Sequence, residues 1–199
     1  PDGKAFDKPY PWLLADVGAL DILGHPNGEL FLAQAAWGLL KQPAIAVQPV
    51  NHPGVKPAKS VWRGTNALPS WSWQGCEGNK AVVEVYAQAP AVELILNGKS
   101  LGKKKVKAGK ALFKTTHLPG TLTAVALDET GQELSRSELN SASGSIRLRA
   151  EPEESAVQAG EIVYIPVSLV GENGVVERNA DCQLTARVEN GELLAFGSA

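Results

Sequence analysis

The chain has 199 residues, enough for one large domain or two small domains with separate cores. Hydrophobic and charged contents of 44% and 20% are ordinary for a soluble globular protein, and a formal net charge of -2 argues against a general nucleic-acid binder. No apolar run reaches the roughly 18 residues of a membrane span. The chain starts at Pro1 and contains no methionine, so we expect a piece of a longer protein.

Residues 1–41 differ from the rest of the chain and are predicted to form one βα unit. Residues 12–17 form a short apolar run that suits a buried strand. Asn27 is a good helix N-cap with Glu29 in the first turn, and the Leu- and Ala-rich sequence after it predicts a helix over about 28–40. This helix is apolar nearly all round, which is typical of a helix inside a larger body. We therefore interpret the unit as a remnant of an α/β domain.

Proline-rich sequence then leads into a unit predicted to span residues 42–143. Within residues 81–106, apolar and polar residues alternate with a period of two, and a central Asn-Gly pair suits a two-residue type I′ hairpin. We expect three consecutive antiparallel strands here, with Glu84 and Tyr86 on the solvent side. About seven short strands at regular spacing predict an immunoglobulin-like β-sandwich. The other four are predicted at 44–50, 111–116, 121–127 and 133–140.

Tryptophan is concentrated just before these strands. Trp71 and Trp73 lie on the same side of an extended segment, and we interpret them as a plug for the end of the sandwich. The alternative is a stacking platform for a sugar ring, because an apolar ring with a polar N–H suits that ligand.

A lysine cluster follows on one or two strands, and we interpret it as a solvated face that discourages edge pairing. A site for an anionic glycan is the alternative, which the net charge does not support. The cluster comprises Lys99, Lys103, Lys104, Lys105, Lys107, Lys110 and Lys114.

Residues 144–199 are predicted to form a second immunoglobulin-like unit that is incomplete at its C-terminus. The four or five strands expected here fall short of a seven-stranded sandwich, which requires about 100 residues. An open edge near residues 192–197 is the expected consequence. The predicted strands cover 146–150, 161–170, 182–188 and 192–197.

The cysteines and histidines show no catalytic or metal-binding spacing. Cys182 begins an alternating apolar row and is predicted to be a buried free thiol; a disulfide with Cys76 would have to bridge two predicted units. The three histidines (His25, His52 and His117) are each predicted to lie in a turn or at the surface. No nucleophile, phosphate-loop or metalloprotease motif is present, so no catalytic set, metal or cofactor is predicted.

Three segments together resemble the C-terminal part of a bacterial β-galactosidase of glycoside hydrolase family 2. Similarity to the end of that family's TIM barrel lies in ADVGALDILGHPNGELFLAQAAWG, where a Gly-x-x-Asp-x-x-Gly-x-Pro run leads into the last helix. A second segment resembles the β-sandwich that follows the barrel: WSWQGCEGNKAVVEVYAQAPAVELILNGKSLG. A third segment resembles a further immunoglobulin-like domain whose last strands are missing: SLVGENGVVERNADCQLTARVENGELLAFGSA.

The resemblance implies a parent that is a retaining exo-glycosidase with two barrel glutamates. Both glutamates would lie upstream of Pro1, so no catalytic residue is carried over onto this chain. The implied partners are the missing barrel and N-terminal domains, with galactosides as ligands of the parent. If Trp12 and Asp16 sit at the end of the last barrel strand, they would have lined the sugar pocket of the parent.

Three functions remain open at this point. The first is a non-catalytic accessory region that buttresses the barrel of a β-galactosidase. The second is a carbohydrate-binding module that uses Trp71 and Trp73, and the third is an adhesin-like array of sandwiches. In each case we expect self-association through the open edge or the apolar helix, and we expect neither nucleic acid nor a membrane as a partner.

Overall fold

The computed structural model describes residues 18–21, 24–51 and 64–197. These residues form a mostly β protein, as predicted, with its strands in three antiparallel sheets. The single helix among them is α1 (Gly28–Ala36). The strands are β1 (Ala44–Val47), β2 (Lys80–Tyr86), β3 (Ala91–Leu96), β4 (Lys99–Lys105), β5 (Lys110–Thr116), β6 (Thr121–Leu127), β7 (Glu133–Asn140), β8 (Arg147–Ala150) and β9 (Val167–Val170).

The first seven strands form the predicted sandwich. One sheet has the order β1-β2-β5 and the other the order β4-β3-β6-β7, and the core lies between them. The apolar residues of the alternating rows point into this core, as their period of two requires. Its fully buried members include Val83, Val85, Val92, Leu94, Leu122 and Ala124.

Of the three-stranded meander that the sequence predicts, the β3–β4 hairpin is confirmed, but the predicted pairing of β2 with β3 is wrong. Asn97 and Gly98 have φ values of 51° and 78°, which is the left-handed geometry of the predicted hairpin turn between β3 and β4. By contrast, β2 pairs with β1 and β5 and not with β3. The chain changes sheets after Tyr86: the N–H of Ala87 still bonds to Gly109, but Pro90 has no N–H to extend a ladder.

Helix α1 begins at its predicted cap and ends four residues before its predicted end. Asn27 Oδ1 accepts the N–H of Glu29 at 2.9 Å, which is the expected N-cap bond. The helix stops at Ala36 because Gly38 takes a φ of +79°, the left-handed conformation that ends many helices. No helix in the described ranges has the length and apolarity that crossing a membrane requires.

The helix covers the outer face of the sheet β1-β2-β5, which the sequence did not predict. Glu84 and Tyr86 are 1% and 0% exposed, so their predicted position towards solvent is wrong. Phe31 of α1 packs on the Tyr86 ring with centroids 6.2 Å apart. Because a helix lies on this face, a strand that alternates in sequence is buried on both sides.

The second unit contains fewer strands than predicted. Strands β8 and β9 pair with each other, but residues 182–188 and 192–197 are not strands in the structure. An extended segment becomes a strand only when a neighbour pairs with its backbone, and in the described residues these two segments have none. Cys182 is exposed, so the prediction of a buried thiol there is wrong. Large exposed apolar side chains in this unit include Ile162, Tyr164, Leu194 and Phe196.

The other cysteine is part of the sandwich core. Cys76 is buried and its thiol donates to the carbonyl oxygen of Val50 at 3.1 Å. Burial raises the pKa of the Cys76 thiol, with the charges of Glu77 and Glu177 acting in the same direction. This thiol therefore stays protonated near neutral pH and is held by packing and not by a disulfide with Cys182.

Candidate functional site

The segment Ser70-Trp71-Ser72-Trp73 crosses one end of the sandwich. Trp71 and Trp73 are 0% and 6% exposed and belong to the core, on the shared side that the sequence predicted. The Trp71 indole donates from Nε1 to the carbonyl oxygen of Leu118 at 2.9 Å. These contacts support the interpretation of the two indoles as a plug.

His117 packs on Trp71, with ring centroids 4.8 Å apart and the rings tilted by 57°. It is 1% exposed, so the prediction of a turn or surface position is wrong for this histidine. Burial lowers the pKa of His117, and the imidazole is therefore neutral near pH 7. Of the other two, His25 is exposed beside Asp21, as predicted, and His52 lies outside the described residues.

The predicted sugar-contacting residues are not brought together by the described structure. Trp12 and Asp16 lie outside the described residues. Trp71 and Trp73 have no open ring face in this conformation, whereas a sugar platform requires one. Sugar binding by these four residues stays a prediction.

Ser72 of the same segment joins the sandwich to the second unit. Ser72 Oγ donates to Glu177 Oε2 at 2.5 Å, and the backbone N–H of Gln74 donates to Glu177 Oε1 at 2.9 Å. The N–H of Asn179 donates to the same Oε1 at 2.9 Å. We call these four residues the Glu177 clasp. Glu177 is 5% exposed, so its carboxylate is buried with three donors around it.

Further hydrogen bonds run beside the Glu177 clasp. Asn179 Nδ2 donates to Gln74 O at 2.6 Å, and Asn173 Nδ2 donates to Ser141 O at 2.9 Å. The N–H of Ala142 donates to Ser72 Oγ at 2.7 Å. The second unit is thus fastened to the sandwich by side chains that also complete the hydrogen bonding of the sandwich end.

A small cavity lies at this junction, between the Trp73 and His117 side chains and the Glu177 clasp. Its volume is about 150 Å³, below the several hundred Å³ typical of ligand pockets. Within the described residues, no group of three or more His, Cys, Asp or Glu side chains is arranged to hold a metal ion.

A second buried carboxylate, Glu84, lies on the face of sheet β1-β2-β5 that α1 covers. Glu84 Oε1 accepts from Thr65 Oγ1 at 2.8 Å and from Gln48 Nε2 at 3.0 Å. Its Oε2 accepts from the Tyr86 hydroxyl and from Lys110 Nζ, the latter at 3.3 Å. We call these five residues the Glu84 cluster. It gives one carboxylate four donors from separate parts of the chain.

The environment of Glu84 keeps it ionised. Desolvation pushes the pKa of Glu84 upwards, but hydrogen bonds from Tyr86, Gln48 and Thr65 and the charge of Lys110 outweigh it and hold the pKa below its ordinary value. The pKa of Tyr86 is raised by burial and by its bond to Glu84, so this phenol is a permanent donor.

The Glu84 cluster also positions the start of α1. Thr65 Oγ1 accepts the N–H of Ala67 at 3.0 Å, and Ala67 O accepts the N–H of Gly28 at 2.9 Å. A Cβ on Gly28 would lie 2.6 Å from the Tyr86 hydroxyl oxygen, so only glycine allows the helix to approach this closely. The helix, residues 65–67 and the sandwich are therefore connected through one buried polar cluster.

Sequence reasoning missed both carboxylates for different reasons. Glu84 shares one strand face with Tyr86, and that pairing of a carboxylate with a phenol was the available signal. Glu177 lies 105 residues from Ser72, and no local sequence pattern predicts a contact between residues so far apart in the chain.

The middle of the chain matches a described protein family. Residues 78–135 match the family described as a domain of unknown function (DUF4982). This range begins just before β2 and ends within β7, so it covers most of the sandwich and stops short of the second unit.

Nearly the whole chain is similar to part of a known glycosidase. Beta-galactosidase BoGH2A of Bacteroides ovatus is 24% identical over 194 residues, which cover 94% of this chain and 20% of that protein. The chain thus spans about a fifth of the length of the curated relative it matches.

Solved structures show the same relationship. A glycosyl hydrolase family 2 member from Bacteroides cellulosilyticus is 27% identical with a TM-score of 0.65, covering 81% of this chain and 22% of that one. A beta-glycosidase from Bacteroides vulgatus shares the fold at 22% identity and a TM-score of 0.54, covering 82% of this chain and 18% of that one. The predicted resemblance to a piece of a family 2 glycoside hydrolase is confirmed.

Proposed function

We propose that this chain is a non-catalytic, C-terminal accessory region of a family 2 glycoside hydrolase of the β-galactosidase type. In this proposal the barrel of the parent hydrolyses terminal β-galactosides with retention, and the residues of this chain hold that barrel and its neighbours in place. The support is the similarity of 94% of the chain to one fifth of a β-galactosidase.

The two buried carboxylates accept hydrogen bonds from other parts of the chain, and this observation supports the proposal most strongly. Among the described residues, Glu84 and Glu177 are the buried acidic side chains, and each accepts hydrogen bonds from at least three donors. A catalytic carboxyl group has to face substrate and exchange a proton with it. Both carboxylates instead face other parts of the chain, one at each joint of the sandwich.

The outer face of α1 is the surface that suits the barrel. Leu32 of α1 and the residues Trp37 and Leu39 just after the helix are 36%, 75% and 61% exposed, whereas Phe31 and Ala35 pack against the sandwich. Apolar side chains grouped in this way favour contact with another protein surface. Self-association through this face, or through residues 192–197 of the second unit, stays a prediction.

The two other functions have less support. A carbohydrate-binding module requires Trp71 or Trp73 to expose a ring, and both are in the core. The hypothesis of an adhesin-like array does not explain why almost the whole chain is similar to a glycosidase.

The test is an assay of the purified chain with a chromogenic β-galactoside, together with calorimetric titration with galactose and lactose. We expect no turnover above the buffer blank and no binding heat, because the groups that cleave and hold sugar belong to the barrel. Turnover that disappears when one acidic side chain of this chain is replaced would contradict the proposal. Binding lost in a folded Trp71→Ala, Trp73→Ala double variant would favour the module.

A further inference from the structure

One edge of the sandwich carries a concentrated positive charge. Residues 99–114 contain seven lysines and no acidic residue, although the whole chain has a formal net charge of -2. Strand β4 is at the edge of one sheet and β5 is at the edge of the other, and the two strands follow each other in the chain. The lysines therefore extend along the side of the sandwich where these two edges meet.

Two of the seven lysines are used inside the fold. Lys104 Nζ donates to Leu112 O at 2.7 Å and lies 5.1 Å from the centroid of the Phe113 ring. Lys110 is part of the Glu84 cluster. These contacts cover an unpaired backbone carbonyl and balance a buried charge, so neither lysine is available to a partner.

The other five lysines are exposed, and we call them the lysine ridge. Of the carboxylates in the described residues, Glu93 alone pairs with a member, at 3.7 Å from Lys103 Nζ. A pair that long and that exposed contributes little to stability. The ridge consists of Lys99, Lys103, Lys105, Lys107 and Lys114.

The second unit carries the opposite charge. Residues 150–177 contain six glutamates and no lysine, arginine or histidine. The carboxylates of residues 151–161, which we call the acidic segment, are exposed: Glu151, Glu153, Glu154 and Glu161. Within one copy, the described residues show no ion pair between the acidic segment and the lysine ridge. Glu151 pairs with Arg149 of its own unit at 3.2 Å, whereas the described residues show no ion pair for Glu153, Glu154 or Glu161, so both surfaces keep an excess of charge.

We propose that the lysine ridge is an interaction surface for the acidic segment of a second copy of this chain. The ridge offers flexible ammonium groups and no buried polar group or aromatic face, so it fits an extended acidic surface and not a small ligand. Lysines along sheet edges also discourage strand addition, so the contact is made by side chains. Such a contact steers association over a Debye length of about 8 Å at physiological salt and weakens as salt rises.

The first test is sedimentation equilibrium of the chain at low and high salt. At 20 mM NaCl we expect a weight-average mass above that of the monomer, increasing with concentration. At 500 mM NaCl the apparent Kd should be at least about tenfold weaker, because the charges are screened. A strictly monomeric chain at 20 mM NaCl would overturn the proposal, as would association that salt does not change.

Charge reversal distinguishes this contact from association through apolar surface. The first variant is Lys103→Glu, Lys105→Glu, Lys107→Glu, and the second reverses Glu151, Glu153 and Glu154 to lysine. Each variant alone should be monomeric at 20 mM NaCl, because its two surfaces then have the same sign. An equimolar mixture should associate again, since each variant supplies the complement of the other.

The control is circular dichroism, which should be unchanged because all six positions are exposed. A mixture that stays monomeric would overturn the proposal, and so would a single variant that still associates. If the wild-type chain is monomeric but its ridge binds an anionic polysaccharide, the proposal is also overturned and the partner is a polyanion.

Discussion

Replacing Glu84 by alanine is expected to lower the free energy of unfolding by about 3–5 kcal/mol. The substitution removes the one acceptor that Thr65, Gln48 and Tyr86 share and leaves the Lys110 ammonium group without its buried partner. The loss in free energy of unfolding exceeds the net contribution of the hydrogen bonds, because each donor stays buried without an acceptor and keeps its desolvation penalty. Urea denaturation followed by far-UV circular dichroism measures the change.

Two comparisons make the Glu84 prediction specific. Glu84→Gln keeps the shape but turns an amide N–H₂ towards donors, so its loss should be smaller, about 1–3 kcal/mol. Glu133→Ala removes an exposed carboxylate paired with Arg136 and should leave the free energy of unfolding unchanged within error. Equal effects of Glu84→Ala and Glu133→Ala would show that the Glu84 cluster does not hold the helix and the sandwich together.

The same cluster gives an expected pH dependence. Because the pKa of Glu84 is lower in the folded chain, its contribution to stability is complete above the unfolded pKa of about 4.3. It is lost as the pH falls through the lower folded pKa. The stability difference between the wild-type chain and Glu84→Gln should therefore shrink below about pH 4.

Replacing Trp71 by alanine is expected to cost about 3–5 kcal/mol, which is typical of a buried large aromatic side chain. The indole is fully buried, donates to Leu118 and supports the ring of His117, so its loss leaves a cavity and an unpaired carbonyl. The matched control is Trp37→Ala, because that indole, at the C-cap of α1, is 75% exposed. The control should change the free energy of unfolding by no more than about 0.5 kcal/mol.

Chemical denaturation monitored by circular dichroism compares the two tryptophan variants. Fluorescence of the remaining tryptophans reports whether the core of Trp71→Ala still folds. A Trp71→Ala chain as stable as Trp37→Ala would contradict the plug interpretation and would support an indole that is available to ligands.

Much of the sandwich was predictable because its signals are local. The period of two around Val83 and Val92 identified the core face, and the Asn97-Gly98 pair identified the hairpin. Each signal depends only on residues within one strand or one turn. The resemblance to family 2 glycoside hydrolases was also predictable, because its segments cover almost the whole chain.

The failures share one cause, which is that they depend on neighbours distant in sequence. Glu84 and Tyr86 are buried because α1 lies over them, and the alternating pattern of β2 does not predict that a helix covers this face. His117 is buried because it packs against Trp71, 46 residues away. Residues 182–188 alternate as a strand does, but strand formation requires a neighbour that the described chain does not supply.

We propose that the buried carboxylates Glu84 and Glu177 hold the protein together and do not catalyse. The decisive experiment measures kcat/KM and the inactivation temperature of the proposed full-length glycoside hydrolase carrying Glu84→Gln and Glu177→Gln. We expect a kcat/KM within about twofold of wild type at 25 °C, since no transition-state interaction is removed, and a lower inactivation temperature. A fall in kcat/KM of about 1,000-fold at an unchanged inactivation temperature would contradict it.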